Sequence, residues 1–227
     1  MTTRRVRRPI PLALTALVAA LGAATALAVT GGPEAHAHGA HATAAGTTAK
    51  EAALRADMRR LWEDHIVWTR LAIISLTTGS PDTQATVNRL LRNQADIGNA
   101  VKPFYGKAAG NKLTAELRRH ILIAADLIAA AKEGDQAAVA REQARWQSNA
   151  NVIAAVLNSV NPRYWKLGAM KAEMQKHLAL TTQEVVTRLQ GKWNVDVAVY
   201  DRIHGHILHL ADTLATGLVK QFPARFR

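Results

Sequence analysis

The sequence predicts an all-α fold, an antiparallel bundle of about six helices, on three observations. From about residue 50 onward apolar residues recur at helical spacing, and no stretch sustains the alternation of a half-buried strand. The helical stretches are punctuated by short runs rich in Gly, Pro or Asp. Neighbouring stretches also line up in pairs, as repeated helical hairpins would.

The first helix places Leu54, Met58, Leu61, His65, Trp68 and Ala72 on one stripe and stops near "TTGSPD". A second starts at about Thr83, with Asp82 as its cap after Pro81, and stops at "KPFYG" near Lys102, where Pro103 and Gly106 break it. "GNKLT" opens a third that runs to Lys132 and ends at Gly134, a natural left-handed position. Asp135 caps a fourth, which reaches about Val160 before "NPRYW". The fifth covers about Leu167 to Gln190 and ends at Gly191; the last runs from about Trp193 to Gln221 and halts at Pro223. Short connections between such helices make an antiparallel bundle over residues 51–223.

Laid over one another, the first members of three pairs align on "DHIVWT", "RHILIA" and "KHLALT", so His65, His120 and His177 coincide. The second members align on "RNQADIGN", "RWQSNANV" and "KWNVDVAV", which superposes Asp96, Asn149 and Asp196. A separate echo, "HILIAAD" at 120 and "HILHLAD" at 206, favours a two-fold duplication instead, and both readings stay open.

The N-terminus carries a basic segment, an apolar run and small residues, the pattern of a signal peptide over residues 1–37. Ala35-His36-Ala37 and Ala40-His41-Ala42 both fit the cleavage pattern, and Arg4-Arg5 leaves Sec and Tat export open. The run from Pro11 to Thr30 is about long enough to span a bilayer, so an uncleaved anchor is an alternative; its alanines and glycines favour cleavage. Residues 38–50 read as a flexible segment; cleavage after Ala37 would leave His38 N-terminal with His41 close behind, which reads either as a loose copper-chelating pair or as an ordinary short His-bearing tail. No other segment is apolar enough to cross a membrane. The expected location is secreted or extracytoplasmic, associated with the cell envelope.

The chain has a formal net charge of +12. Four arginines and Glu34 leave with residues 1–37, and the remaining 25 basic against 16 acidic residues give about +9. Outside the cell such a charge favours anionic wall polymer or lipid headgroups; nucleic acid is not the expected partner. There is no cysteine, so disulfides, thiolate metal sites and cysteine nucleophiles are excluded.

The histidines carry whatever chemistry there is. His65 shares a face with Leu61, Trp68 and Ala72, His120 with Leu117, Ala124 and Leu127, and His177 with Met170, Met174 and Thr181. All three are expected to point inward, as are Asn149 and Asp196; Asp96 sits beside the stripe defined by Ile97 and Val101. A buried polar group needs a partner, because leaving one unpaired costs about 1–3 kcal/mol. One reading pairs each histidine with the Asp or Asn across its own hairpin. A second gathers His65, His120, His177, Asp96 and Asp196 around a metal ion, since imidazole with carboxylate suits divalent metals. A third is a pH-responsive core. Glu116 and Glu173 lie four residues before His120 and His177, a spacing that serves a metal or a helix-surface pair. The "YDRIHGHILHLAD" cluster reads as solvated or capping, because its successive residues face different ways. Phosphate-binding glycine loops, G-x-S-x-G and H-E-x-x-H are absent, and the five tryptophans read as core.

The blocks "LWEDHIVWTRLAIISL", "VNRLLRNQADIGNAVKPFYG", "HILIAADLIAAAKEGD", "RWQSNANVIAAVLNSVNP", "HLALTTQEVVTRLQGKW" and "ADTLATGLVKQFP" resemble a family of small exported all-helical proteins of Gram-positive bacteria. The resemblance covers nearly the whole mature chain. It implies an exported helical fold and carries no activity or catalytic residue set. Some members bear the label glycosyltransferase, which this sequence does not support, because a nucleotide-sugar enzyme is expected to show an α/β domain or a multi-span membrane core. The leading expectation is an exported binding protein whose interior His/Asp centre holds a metal ion or small ligand. The alternative is an envelope protein that meets anionic wall polymer through a basic surface, its buried polar residues serving only the fold.

Overall fold

The computed structural model describes residues 47–227. The expected signal segment 1–37, with His38 and His41, lies outside the described residues. These form five α-helices and no strand: α1 (Ala49–Thr78), α2 (Thr83–Glu133), α3 (Gln136–Val160), α4 (Leu167–Leu189) and α5 (Trp193–Gln221), followed by a 3-10 turn, Pro223–Phe226. Each helix packs on the next and α5 packs back on α1, which closes the bundle around one core. No helix among the described residues is long and apolar enough to cross a membrane.

Side chains cap two of the helices, whereas Asp82, expected to cap α2, makes no cap hydrogen bond and instead accepts from the Ser75 hydroxyl at 2.9 Å. Thr48 caps α1 by accepting the Glu51 N–H at 3.2 Å, and Glu51 three residues on completes the sequence of a capping box. Asp135 caps α3 by accepting from the Ala138 N–H at 2.9 Å. The apolar stripes are buried as their spacing requires, with Ile66, Leu178, Val199, Ile203 and Leu218 wholly inaccessible. Ordered chain extends past Pro223: Phe226 is buried, and its carbonyl accepts from the Thr48 hydroxyl, joining the two ends of the domain.

One boundary differs from expectation. Where the sequence predicts two helices broken at "KPFYG", the structure has a single helical element, α2, folded on itself at Gly106 (φ 82°, ψ 168°). That conformation is open to glycine and nearly closed to other residues. The halves then meet: the Arg118 guanidinium donates to the Leu91 carbonyl at 3.1 Å, although 27 residues of straight helix would span about 40 Å. Gly98 and Gly110 let the backbones approach, since a Cβ on Gly98 would lie 2.7 Å from the Gly110 carbonyl.

Candidate functional site

The inward faces of α1, α2 and α4 bring His65, His120 and His177 together, and α5 adds a fourth ring, His206. All four are buried. His177 sits in the middle: its ring centroid is 5.9 Å from that of His65, 6.0 Å from that of His120 and 6.3 Å from that of His206. Trp62 stands edge-on to His65 at 5.6 Å, and Trp146 tilts over His120 at 5.1 Å. His65, His120, His177, Thr181 and Trp146 wall a cavity of about 30 Å³, counted as space open to the centre of a water molecule; its remaining lining is almost wholly apolar. That volume suits roughly two waters or one ion.

The neighbours fix which nitrogens carry protons. Asn149 donates through Nδ2 to the Glu116 carboxylate at 2.9 Å and to the Glu116 carbonyl at 3.3 Å, so its Oδ1 is the oxygen that faces His120 Nδ1 at 2.9 Å. His120 therefore donates from Nδ1, and its Nε2 is a bare lone pair, buried and without a partner. Gln94 is oriented the opposite way. Its Nε2 faces three acceptors, the Leu90 carbonyl at 2.9 Å, Asn93 Oδ1 at 3.2 Å and His65 Nδ1 at 3.2 Å, which share its two hydrogens, while its Oε1 is buried without a partner. The proton of His65 then lies on Nε2. His177 makes no hydrogen bond, and its Nδ1 is buried and unpartnered, as is the Thr181 hydroxyl.

Burial holds these rings neutral. It drives His65 down to about 3, with the neighbouring His120 adding to the effect and Gln94 opposing it. It drives His120 down to about 4 against the Asn149 hydrogen bond, and takes His177 well below the usual imidazole range with help from the other three histidines. His206 is lowered for the same reason, opposed by the Glu173 carboxylate and reinforced by Lys176.

The structure leaves both predicted carboxylates out of this cluster. Asp96 is exposed, because its position on α2 falls outside the inward arc occupied by Asn93, Gln94 and Ile97. Asp196 is buried, but in a separate ionic network between α1, α4 and α5. It takes both Arg70 guanidinium nitrogens, one at 2.7 Å, and Arg188 at 3.0 Å, while Arg70 also holds the fully buried Glu184 at 2.6 Å. Among the described residues no three His, Asp or Glu side chains converge as a metal-ligand set. Glu116 and Glu173 turn to the partner helices: Glu116 receives Asn149, and Glu173 Oε2 lies 3.4 Å from His206 Nδ1 while its carbonyl accepts from His206 Nε2 at 3.2 Å. Of the other histidines, His204 meets Glu63 at 3.1 Å and His209 is exposed. Trp193, expected in the core, is 57% exposed beneath the Arg188 guanidinium.

Gln94 and His206 are the two residues that sequence reasoning missed, and a regular spacing marks both. Twenty-nine residues separate His65 from Gln94 and His120 from Asn149, and the same interval separates His177 from His206. The residue four before each central histidine repeats a role as well. The carbonyls of Leu61, Glu116 and Glu173 accept from Asn93, Asn149 and His206 respectively, at 3.0 to 3.3 Å. No family profile matches this chain, and no curated protein or solved structure matches it.

Proposed function

We propose that this is an exported binding protein whose buried imidazole cluster holds a single copper(I) ion between His120 and His177. The observation that carries the reading is the pair of buried, unpartnered nitrogens, His120 Nε2 and His177 Nδ1, on rings 6.0 Å apart that both line a small, mostly apolar cavity. Two imidazoles on opposite sides of one ion, each nitrogen about 2 Å from it, have ring centres about 6 Å apart. Asn149 Oδ1 accepts from His120 Nδ1, the hydrogen bond that metal-bound histidines usually make from the other ring nitrogen. His65 presents an N–H rather than a lone pair, which makes it a neighbour that orients the site.

The charge and the ligand count select the ion. Zinc sites need three or four protein ligands, and among the described residues no third side chain converges here. A divalent ion would also sit in an apolar cavity with no carboxylate to offset its charge, at a high desolvation cost. A monovalent ion that accepts two nitrogens avoids both difficulties, and imidazole is a good copper ligand. Anaerobic titration of purified protein with copper(I) is the test, followed by desalting and metal analysis. One copper per chain is expected for the native protein, with loss of binding in His120→Ala and no retention of zinc; native protein that keeps no copper would sink the proposal.

Export is supported by the signal pattern of residues 1–37, and membership of the exported Gram-positive family by the quoted blocks. We infer that the bundle arose as three helical hairpins, the fold at Gly106 being the tip of one, giving six helical arms. The recurring 29-residue interval and the repeated carbonyl contacts support this. A second reading, adhesion to anionic wall polymer, is favoured by the charge of about +9 that remains without residues 1–37 and by an open cleft that carries Arg118 and Arg119. Salt-sensitive retention on isolated cell walls tests it.

A further inference from the structure

We infer that the bundle docks on an anionic lipid surface through one of its ends, the pole formed by the Gly106 fold, the 161–166 loop and the start and finish of the described chain. This surface role stands apart from the copper site. The net charge sits almost wholly at that pole. Four stretches within about a turn and a half of its turning points, residues 47–54, 101–111, 155–172 and 216–227, hold nine Lys and Arg side chains against one acid, Glu51. That leaves 16 of the 25 basic and 15 of the 16 acidic residues for the rest of the described chain. On side chains alone the pole carries +8 and everything else +1.

The pole is one packed surface. The Thr48 hydroxyl donates to the Phe226 carbonyl, the Arg225 guanidinium to the Pro103 carbonyl at 2.8 Å, the Tyr105 hydroxyl to Gln221 at 2.6 Å and Asn161 Nδ2 to the Gly217 carbonyl at 3.1 Å. Glu51 is taken by Arg55, farther along α1, at 2.7 Å, so among the described residues none of the nine is paired with a carboxylate side chain. Elsewhere arginines such as Arg59, Arg70 and Arg145 are neutralised by Asp212, Asp196 and Glu142.

The apolar groups at this pole point to lipid. All three phenylalanines of the chain, Phe104, Phe222 and Phe226, lie here with Tyr164 and the 38%-exposed Leu167. Phe104, Phe222 and Tyr164 are half-buried, with Arg225 over the Phe104 ring at 4.8 Å and Arg163 over Tyr164 at 5.4 Å. A polar wall polymer offers such ring edges nothing, whereas the headgroup layer of a bilayer takes basic groups and half-exposed aromatic rings together. A plane can also meet all four stretches at once. α1 begins at this pole, so the apolar run of residues 11–30, read above as an export signal or a retained anchor, joins the bundle on the side that carries the charge.

Co-sedimentation of the mature chain, residues 38–227, with vesicles of phosphatidylglycerol and phosphatidylcholine in equal parts tests the docking. Each basic side chain near an anionic membrane changes partition about fivefold, so Lys107→Gln, Lys166→Gln and Lys220→Gln combined are expected to weaken binding about a hundredfold. The charge-matched combination Arg92→Gln, Lys176→Gln and Lys192→Gln, away from the pole, is expected to weaken it less than about fivefold. All six residues are exposed, and a native circular dichroism melt verifies the fold of both variants. Equal losses in the two variants would overturn the proposal, because binding would then follow net charge and not the pole. So would native chain that sediments no better with these vesicles than with phosphatidylcholine alone. Retention on purified wall polymer with none on vesicles would also overturn it and assign the pole to the wall.

Discussion

Acidification from pH 7.5 to 5 puts the buried imidazoles under direct test. The unfolded chain titrates its histidines near 6.5, whereas the folded chain holds His65 at about 3, His120 at about 4 and His177 well below its ordinary range. Folded pKa values below unfolded ones mean that the unfolded state binds more protons in this window. The stabilising effect is therefore present above pH 6.5 and drains away as pH falls towards the folded values. At pH 5 each such group lies 1.5 pH units below its unfolded pKa, a loss of about 2 kcal/mol, so the three together cost about 6 kcal/mol. His206 is left out of that sum because Glu173 opposes its shift. A loss of this size rivals the whole stability of many domains, about 5–15 kcal/mol. Urea unfolding followed by circular dichroism, repeated at half-unit steps of pH, should show stability falling by about 4 kcal/mol per pH unit below 6, the slope of three protons. His120→Gln should cut that slope by one third. The groups facing the three rings are Gln94, Asn149, Trp62, Trp146, Thr181 and His206, none of which is an acid that would titrate there in their place. A slope below one proton over this range would refute the dry cluster, since it would mean that the rings take up protons in the folded state as easily as in water.

Asn149→Ala strands the His120 Nδ1 proton and one Glu116 oxygen, and should cost about 1–3 kcal/mol in urea unfolding, whereas Asp96→Ala on the exposed face should change stability by less than about 0.5 kcal/mol. Equal effects of the two would return Asp96 to the interior. Arg70→Met leaves Glu184, already raised by its burial, without its ion-pair partner, and leaves Asp196 with Arg188 alone. We expect a loss of about 3–5 kcal/mol by the same assay, with Glu184→Gln in the same chain recovering part of it.

Helix positions were legible from local chemistry because the signals that end a helix are short-range. Gly134 and Asp135, for example, both act where the sequence places them. The inward direction of His65, His120 and His177 was legible too, since helical periodicity fixes the face of a residue relative to its own apolar stripe. What each ring would touch was not, because the partner depends on how far one helix slides along the next. The alignment of second helices was anchored on a basic residue followed by Asn or Trp. It lay two residues off in the first hairpin, where Gln94 and not Asp96 faces the histidine, and ten residues off in the third, where His206 and not Asp196 does. Asp196 looked like a site residue because it is buried and charged. Its burial is explained by Arg70, 126 residues earlier, a relation that no local pattern encodes.

The interval of 29 residues is the better ruler because it comes from a geometry that recurs at His65, His120 and His177. A carbonyl four residues before the histidine accepts a bond from the partner helix or arm, and this second bond pins the register wherever it recurs. Once the register is pinned, the side chain opposite each ring is a free choice of the sequence, and an amide is the choice that satisfies a neutral imidazole at least risk. Two hairpins make that choice. In the third, an imidazole faces an imidazole with no hydrogen bond between the rings, which leaves His177 Nδ1 without a partner in the core. An unpaired buried nitrogen lowers stability, and a Gln at 206 would have removed the cost without altering the backbone. Local rules that a sequence breaks at a price in stability are commonly broken for function. On this ground the surroundings of His177, rather than the better-satisfied pair at His65 and Gln94, are where we place the binding site proposed above.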